Sequence, residues 1–380
     1  MITPFASRVE AAATAWGVQA LAAGFSTGDD VVTAAAGCDV STSFRVASVT
    51  KPFTATLALD LLELEAPTGV WPDDVRIRHL LSHTSGYDCE CGDLARFGEG
   101  DGALAAAVAE LPGVRRFLAV EQAWSYANTG YWLAGHLAAV STGSTYEEAL
   151  ATHVLGPVGL ESTTFGEPQL EGTGAAASPG PYPRARRPSG GLVSNVLDLL
   201  RFGRWHLARR DSARLRAPHA ETATGVYGLG LAGERVGGVE VWGHGGSYGG
   251  FQSSLLLVPD RDAVFVGLTN SGTGEQALRV LEDVFFERVL AARRSVPEPV
   301  ELPAAALRSF AGAYANSDER YEVEVAGSGL LVNLDGLSFP ARAIGERTFE
   351  ITEGDLLRSR FDFPLDGFVR FGSRLAERVE

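Results

Sequence analysis

The sequence predicts an α+β protein in two parts, a large domain that mixes helices with strands and a small antiparallel β domain after it. Residues 48–64 carry apolar side chains at helical spacing, and residues 253–268 hold two apolar runs of strand length. Beyond a proline-rich segment at residues 295–306, the apolar pattern changes to the period of two that half-buried strands show. We therefore expect a large domain, of the size that enzymes have, at residues 1–294, a linker at 295–306 and a small β domain at 307–380.

The elements of the large domain follow one another with little internal regularity. After the helix at residues 48–64, we predict a second apolar helix at 131–140, strands at 239–242, 253–258 and 263–268, and a final helix at 275–292. In the small domain, short strands separated by turn residues are predicted at 321–325, 330–332, 347–351 and 367–371, which together form an antiparallel sheet or barrel. No repeat of fixed period is present, which excludes a solenoid.

Composition excludes several classes of partner. The formal net charge of -15 argues against nucleic acid and anionic membranes, because both require a basic protein surface. The N-terminal segment lacks the basic start and continuous apolar run of a secretion signal, and no later segment has the length of a membrane span. Three cysteines are an odd number, which favours a reducing compartment over a disulfide framework. A cytoplasmic protein is therefore expected.

One short stretch carries unusual chemistry. Lys51 is the only lysine in the chain, whereas the other 31 basic side chains are arginines. It lies three residues after Ser48 at the start of the first predicted helix, a spacing that puts both side chains on one face. Serine needs a neighbour that takes its proton, and a desolvated lysine can do so while an arginine cannot. Ser48 and Lys51 are therefore candidate catalytic residues.

Two further motifs supply the other parts of an acyl-transfer site. Tyr126 precedes Asn128 by two residues, and His244 opens a His-Gly-Gly sequence at the edge of a predicted strand. A phenol can act as a base when a cation lowers its pKa, an amide can hold an acyl group, and a donor can face the developing charge. Their order along the chain fits a single site.

Taken together, the three motifs resemble those of the serine β-lactamase and penicillin-binding-protein superfamily. The sequences at residues 76–86 and 190–194 resemble its class C branch, which includes esterases, D-aminopeptidases and transacylases. The resemblance spans roughly residues 11–293 and implies a β-lactamase/transpeptidase-like domain, with an antiparallel sheet flanked by helices and a helical subdomain. The C-terminal β domain resembles the lipocalin-like appendage of some members.

Roles for the motif residues follow from this resemblance. Ser48 is expected to be the nucleophile, Lys51 its hydrogen-bonded partner, and Tyr126 the group that carries a proton to and from the leaving group. His244 is expected to tune the electrostatic field over the site. Many penicillin-recognising members have a lysine at that position, so the histidine weakens a β-lactam or cell-wall interpretation.

The substrate-binding side of the site is also implied by the resemblance. Asn128 is expected to orient the substrate, and the backbone N–H groups of Ser48 and Ser247 to form the oxyanion hole. Gly245 and Gly246 belong to the motif that begins at His244 and are expected to line the substrate-binding site. No cofactor and no metal are expected.

The sequence therefore predicts a serine hydrolase or acyltransferase that forms an acyl-ester on Ser48. Its partners would be a small-molecule acyl donor and either water or an amine or alcohol acceptor, with no nucleic acid or membrane. An esterase, amidase or transacylase acting on a small metabolite, as in secondary metabolism, is favoured. A D-amino-acid peptidase or amidase, a β-lactamase-like hydrolase and a catalytically silent binding protein remain as alternatives.

Three other patterns have competing interpretations. His79 and His83 lie four residues apart on a helical pattern near Cys89 and Cys91, so a zinc site competes with family residues that bind no metal. The arginines at residues 181–188 form either an anion clamp or a solvated loop. Residues 228–233 fit a dinucleotide-binding glycine motif, but the strand expected at 236–242 favours a hairpin.

Overall fold

The computed structural model describes residues 2–88, 92–174, 181–334, 336–354 and 356–379. The large domain contains the first ten α-helices, and one more precedes the barrel: α1 Ile2–Ala15, α2 Thr50–Leu61, α3 Ile77–Leu81, α4 Ala103–Ala109, α5 Asn128–Thr142, α6 Tyr146–Leu150, α7 Gly156–Val158, α8 Arg187–Gly190, α9 Val196–Ala208, α10 Glu275–Phe285 and α11 Ala304–Phe310. Short 3₁₀ turns include Ala47–Val49, Arg184–Arg186 and Arg210–Arg216. Helix α11 spans the predicted start of the second domain.

An eight-stranded antiparallel sheet organises the large domain in the order β2-β1-β10-β9-β8-β7-β6-β5. Its strands are β1 Leu21–Thr27, β2 Asp30–Ala36, β5 Ala220–Glu221, β6 Val226–Tyr227, β7 Ala232–Val236, β8 Val239–Tyr248, β9 Phe251–Val258 and β10 Ala263–Thr269. The pair β3 Phe44–Arg45 and β4 Val193–Ser194 forms a separate two-stranded sheet. The predicted strands at 253–258 and 263–268 correspond to β9 and β10.

Helices cover both faces of this sheet. All seven residues of β10 are buried, and successive side chains enter opposite layers because a strand alternates its faces. Phe265 packs with side chains of α1 and α10, whereas Val264 and Val266 pack on the other face with α2 and α9. The continuous apolar run of β10 therefore reflects burial on two sides.

Helix α2 lies inside the helical layer and places the start of the predicted catalytic motif in the core. Its residues from Thr50 to Ala58 are all buried, and it packs against α5, α6 and α8. The Phe53 ring stacks on that of Phe202 in α9, with centroids 3.7 Å apart. Burial on all sides from Thr50 to Ala58 leaves this part of the helix without a polar face towards solvent, and its polar side chains, such as Lys51 and Thr54, form hydrogen bonds inside the protein.

The C-terminal part is a closed barrel of eight antiparallel strands in sequence order. Its strands are β11 Gly312–Ala315, β12 Arg320–Ala326, β13 Gly329–Leu334, β14 Leu337–Ala343, β15 Thr348–Ile351, β16 Arg360–Asp362, β17 Phe368–Phe371 and β18 Arg374–Arg378. Aromatic side chains fill its interior, including Phe310, whose ring stacks on Phe363 with centroids 4.3 Å apart. The expected small antiparallel β domain is confirmed.

Two local expectations need correction. The strand expected at residues 236–242 is interrupted, because Gly237 and Gly238 have φ values of 57° and 85° and turn the chain between β7 and β8. The glycine motif at 228–233 does form a hairpin between β6 and β7, as predicted. The helical pattern joining His79 to His83 is also wrong, since α3 ends at Leu81 and His83 has a φ of 58°.

Candidate active site

Ser48 lies in the 3₁₀ turn Ala47–Val49, directly before helix α2. The preceding residue, Ala47, has a φ of 45°, a left-handed conformation that residues other than glycine adopt rarely. Such backbone strain persists where the surrounding structure imposes it, and it is common at functional sites. The turn places the partly exposed Ser48 on the wall of a cavity of about 800 Å³.

Lys51 is fully buried beside Ser48, and its amine is surrounded by oxygen atoms. Its Nζ lies 3.2 Å from Ser48 Oγ, 2.8 Å from Asn128 Oδ1 and 2.8 Å from the carbonyl of Ser189. As an ammonium it donates to all three oxygens. As a neutral amine it donates to the amide and the carbonyl, and its lone pair faces the Ser48 hydroxyl. The contacts suit both protonation states, which a proton carrier requires.

Tyr126 also contacts the Ser48 side chain. Its hydroxyl donates to Ser48 Oγ at 2.9 Å, and Lys51 Nζ lies 4.6 Å from the centre of its ring. The residue belongs to a loop that precedes α5, which begins at Asn128. The structure thus brings together four residues that the sequence placed in two distant motifs.

His83 supports the loop that carries Tyr126. Its carbonyl accepts the N–H of Ser125 and its Nδ1 accepts the N–H of Ala127, each at 3.0 Å. Burial lowers the pKa of His83 well below its usual value, and the nearby Lys51 charge lowers it further. The ring is therefore neutral, as its acceptor role at Nδ1 requires. Sequence reasoning weighed a zinc ligand against a family residue that binds no metal at His83, and it missed this supporting contact.

His244 lies on β8 and faces Tyr126, with ring centroids 6.1 Å apart. Its Nδ1 donates to the carbonyl of Gly245 at 2.5 Å, which leaves Nε2 to accept the Tyr227 hydroxyl at 3.1 Å. Burial, assisted by the Lys51 charge, lowers the pKa of His244 to about 3. The imidazole therefore contributes dipoles rather than a positive charge near neutral pH. Its role in tuning the field stays a prediction.

Tyr227 is a site residue that the sequence did not reveal. It lies at the end of β6, is fully buried, and has a pKa raised well above its usual value by that burial. The phenol remains protonated and donates to His244 Nε2. Its position next to a glycine-rich hairpin gave no sequence signal for this contact.

Strand β8 runs very close to the nucleophile turn at Gly246. A Cβ atom on Gly246 would lie 2.3 Å from the carbonyl oxygen of Val46, 2.4 Å from Ser253 Oγ and 3.0 Å from the Ser48 nitrogen. Ser253 Oγ donates to that same carbonyl at 2.7 Å and joins β9 to the turn. Glycine is therefore needed for β8 to reach Ser48.

Gly245 and Ser247 flank this contact and line the cavity. Ser247 Oγ accepts from Gln252 Nε2 at 2.9 Å, which fixes its side chain on the sheet. The backbone of Ser247 follows the closest approach to Ser48 along β8, as an oxyanion hole between the two would need. That assignment stays a prediction.

Aromatic and basic side chains and one turn of the barrel form part of the remaining cavity wall. It includes Tyr182, Tyr248, Trp124, Arg186 and the barrel residues Gly372, Ser373 and Arg374. Of the predicted arginine clamp, Arg184 and Arg187 make ion pairs with Glu147, at 2.9 Å and 2.6 Å. Arg186 instead lies over the rings of Tyr182 and Tyr248, 5.8 Å from each centroid. Only that part of the expected clamp reaches the cavity.

The described residues give no support to the alternative interpretation of His79 and His83 as zinc ligands. Over the ranges given above for the described chain, no cluster of three or more His, Cys, Asp or Glu side chains is arranged to hold a metal ion. Cys89 and Cys91 lie outside the described residues. His79 Nδ1 accepts the backbone N–H of Arg76 at 2.9 Å and serves the start of α3.

The antiparallel sheet, the buried helix and the contacts among Ser48, Lys51 and Tyr126 define the architecture of serine β-lactamases and penicillin-binding proteins. The Beta-lactamase family model matches residues 5–285, and the chain belongs to this family. The resemblance and the α+β fold predicted from the sequence are thereby confirmed.

Two groups of curated proteins are similar to the chain. Penicillin-binding protein 4 of Amycolatopsis lactamdurans is 31% identical over 294 residues, which cover 64% of this chain and 75% of that protein. A D-aminopeptidase of Cereibacter sphaeroides is 26% identical over 155 residues, covering 36% of this chain and 30% of the relative. The chain thus matches less than a third of that peptidase.

Solved structures extend the similarity of fold to the barrel. The structure of SurE with D-Leu covers 99% of both chains at a TM-score of 0.79 and 23% identity. The octameric penicillin-binding protein homologue from Pyrococcus abyssi covers 99% of both chains at a TM-score of 0.67 and 19% identity. The match to a D-stereospecific amidohydrolase from Streptomyces sp. covers 73% of this chain and 98% of the amidohydrolase, at a TM-score of 0.61 and 26% identity.

Within the described ranges of the chain, none of the helices combines the length and the apolar character needed to cross a bilayer.

Proposed function

We propose that the protein is a serine acyl-transfer enzyme that forms an acyl-ester on Ser48. The observation that carries this proposal is the double contact on Ser48 Oγ, from Lys51 Nζ at 3.2 Å and from the Tyr126 hydroxyl at 2.9 Å. A serine placed between two proton-transfer groups on a cavity wall has the arrangement that an activated nucleophile needs.

The reaction proceeds in two halves. In the first, Ser48 Oγ forms a bond to the substrate carbonyl carbon as its proton passes to the neutral Lys51 amine. The N–H groups of Ser48 and Ser247 stabilise the oxyanion, and Tyr126 protonates the leaving group as its bond to the carbonyl carbon breaks. Lys51 then returns its proton to Tyr126 across the site.

In the second half, water or an amine or alcohol attacks the acyl-ester. Its proton passes to the Tyr126–Lys51 pair, the ester bond to Ser48 breaks, and Ser48 Oγ recovers a proton. Hydrolysis and transfer share these residues and differ only in the acceptor. A cytoplasmic enzyme acting on an ester or amide of a small metabolite, as in secondary metabolism, fits this scheme, with no nucleic acid or membrane as partner.

A second candidate is hydrolysis or transfer at a D-amino-acid residue. Similarity to a D-aminopeptidase, a D-stereospecific amidohydrolase and SurE with D-Leu favours it. A panel of D- and L-aminoacyl p-nitrophenyl esters, anilides and simple acyl esters distinguishes the two candidates. Each substrate is incubated with and without an amine or alcohol, and products are identified by mass. A penicillin included in the panel tests the β-lactamase-like alternative.

Labelling tests the acyl-enzyme directly. A fluorophosphonate is expected to add one adduct to the protein, and Ser48→Ala is expected to remove it, as shown by intact mass and peptide mapping. A protein that takes up no label would support a silent binding protein instead, and a label that survives Ser48→Ala would exclude Ser48 as the labelled nucleophile.

Lys51→Arg tests the proton transfer. An arginine keeps the positive charge but does not deprotonate in proteins, so acylation is expected to fall by about a hundredfold or more. The measurement is the burst rate with a p-nitrophenyl ester, and circular dichroism verifies folding. Turnover close to that of the parent protein would exclude Lys51 as the base.

A further inference from the structure

The C-terminal barrel holds the three consecutive residues that end in Tyr126. A barrel guanidinium, Arg370 Nη1, donates to the carbonyl of Trp124 at 3.1 Å. The N–H of Leu375 donates to Ser125 Oγ at 3.2 Å, and the N–H of Tyr126 donates to the carbonyl of Ser373 at 2.9 Å. One hairpin of the barrel, formed by β17 and β18, therefore contacts each residue in turn.

Arg370 is built into this hairpin as a fixed, buried group. Only 2% of its surface is exposed, and its Nε and Nη2 donate to the two oxygens of Asp362 at 2.8 Å and 2.5 Å. Its Nη1 also donates to the carbonyl of Glu221 at 3.2 Å. A two-pronged arginine–carboxylate pair has a defined orientation, so the remaining N–H points at a fixed place in the large domain.

The same hairpin forms part of the cavity wall. Its turn residues Gly372, Ser373 and Arg374 line the cavity that contains Ser48. The interior of the barrel, in contrast, is filled by its own aromatic side chains. The features of the barrel that bear on the reaction lie on its outside, at the loop that carries the phenol.

We propose that the barrel positions the Tyr126 phenol for proton transfer to the leaving group, with Arg370 as the positioning residue. Tyr126 lies on a loop, and loops are the more mobile parts of a fold. His83 fixes this loop from the large domain and the β17–β18 hairpin fixes it from the barrel. Proton transfer requires the donor within hydrogen-bond reach of the leaving atom, so loosening one support lowers the rate. This inference rests on the proposed function.

The leaving group provides a readout that separates positioning from folding. A p-nitrophenolate leaves without a proton, whereas an alkoxide needs one from Tyr126. The acylation rate, measured as kcat/KM so that the shared deacylation half does not contribute, is compared on the p-nitrophenyl and ethyl esters of the acyl group that the panel selects. Arg370→Met combined with Asp362→Leu removes the buried pair without leaving an unpaired carboxylate. Its rate on the ethyl ester is expected to fall about tenfold or more, with a change of less than about threefold on the p-nitrophenyl ester.

Three further variants frame the result. Tyr126→Phe is expected to show the same selective loss, and Ser125→Ala, which removes a single hydrogen bond to the hairpin, a smaller one. Arg342→Met combined with Glu350→Leu is the matched control, because this pair joins strands β14 and β15 of the barrel at 2.8 Å and neither residue lines the cavity. It is expected to leave both rates unchanged. Ser125→Ala also keeps the test informative should the double variant fail to fold.

Equal losses on the two esters, or none on either, in the folded Arg370 and Ser125 variants would overturn the positioning role. A parent protein whose Ser48 takes up no fluorophosphonate would instead overturn the proposed function. The two failures are therefore distinguished within one set of measurements.

Discussion

At the scale of single residues, two neutral histidines, His83 and His244, hold parts of the candidate site in place. His83 fixes the loop before α5 through its backbone and its ring, and His244 accepts from Tyr227 on the sheet side. Burial keeps both imidazoles uncharged, so they hold geometry without competing with Lys51 for a proton. Neither histidine therefore adds a positive charge beside Lys51 near neutral pH.

Gly246 offers a sharp test of how closely β8 must approach the nucleophile. In Gly246→Ala the new methyl group would meet backbone and side-chain oxygens at 2.3 Å and 2.4 Å, so β8 or the Ser48 turn must move. We expect acylation to fall by about a hundredfold, since misplacing reacting groups by 1 Å is enough for such a loss. The rate of fluorophosphonate labelling measures it.

Gly245→Ala serves as the neighbouring comparison. Its Cβ would meet only the carbonyl of Ser253 within 4 Å, at 3.7 Å, which is an ordinary contact. Its loss of labelling rate is expected to be at least tenfold smaller than that of Gly246→Ala, by the same misplacement argument. Equal rates in the two variants would show that the close approach at Gly246 has no part in acylation.

At the scale of elements, the sequence predicted those helices and strands whose buried side chains follow a regular spacing along the chain. Helix α2 was recognisable from apolar side chains at helical spacing, and strands β9 and β10 from apolar runs of strand length. Element ends were less accurate. Ser48 precedes α2 on a 3₁₀ turn, and the helix expected to reach residue 292 changes to a π-helical turn after Phe285. Local hydrogen bonding, which the apolar pattern does not encode, decides such ends.

The candidate site also contains residues that the sequence revealed and residues that it did not. Ser48, Lys51, Tyr126 and His244 were found because their chemistry is unusual in a short motif. Tyr227 and the barrel hairpin were not found, because their contacts come from the folded arrangement. Leu375 and Ser125, for example, meet across 250 residues of chain. Nothing in either local sequence indicates the other.

Helix α5 gives a stability prediction for the helical layer. Gly135 faces α8, and a Cβ there would lie 2.5 Å from Pro188 Cγ. Gly135→Ala is therefore expected to lower the free energy of unfolding by about 1–3 kcal/mol through overpacking, although alanine favours helices. Urea unfolding followed by circular dichroism measures the change.

Val140→Ala on the same helix is the control. This side chain is 63% exposed, so its replacement is expected to change the free energy of unfolding by less than about 0.5 kcal/mol. A Gly135→Ala protein as stable as this control would mean that α5 and α8 can separate without cost.

At the scale of the whole molecule, buried histidines make stability sensitive to acid. Folding lowers the pKa of six of them: His79, His83, His136, His206, His219 and His244. For His206 and His244 the lowered pKa is about 3. Between that value and the unfolded pKa of about 6.5, only the unfolded chain binds the proton. Stability should therefore fall as the pH drops below about 6.5.

His206 isolates this effect away from the catalytic residues. It is fully buried, and within the described parts of the chain neither ring nitrogen has a hydrogen-bond partner. His206→Leu is expected to flatten the acid side of the stability profile by up to about 1.4 kcal/mol per pH unit. Urea midpoints between pH 4.5 and pH 8 test it, with the values above pH 7.5 as the internal reference for packing changes.

An unchanged acid slope in His206→Leu would assign the acid sensitivity to the other histidines or to carboxylates. The same profile for the parent protein gives the total. A parent profile that is flat from pH 7 to pH 4.5 would contradict the uncharged state of all six.

The buried position of the sole lysine has a practical consequence for spectroscopy. A protein grown with isotope-labelled lysine carries a single labelled side chain, and that side chain lies next to Ser48 with no exposed surface. Its magnetic resonance signal would arise without overlap from the amine to which the proposed reaction assigns proton transfer. One resonance, followed through titration and acylation, would report the charge of the catalytic centre directly.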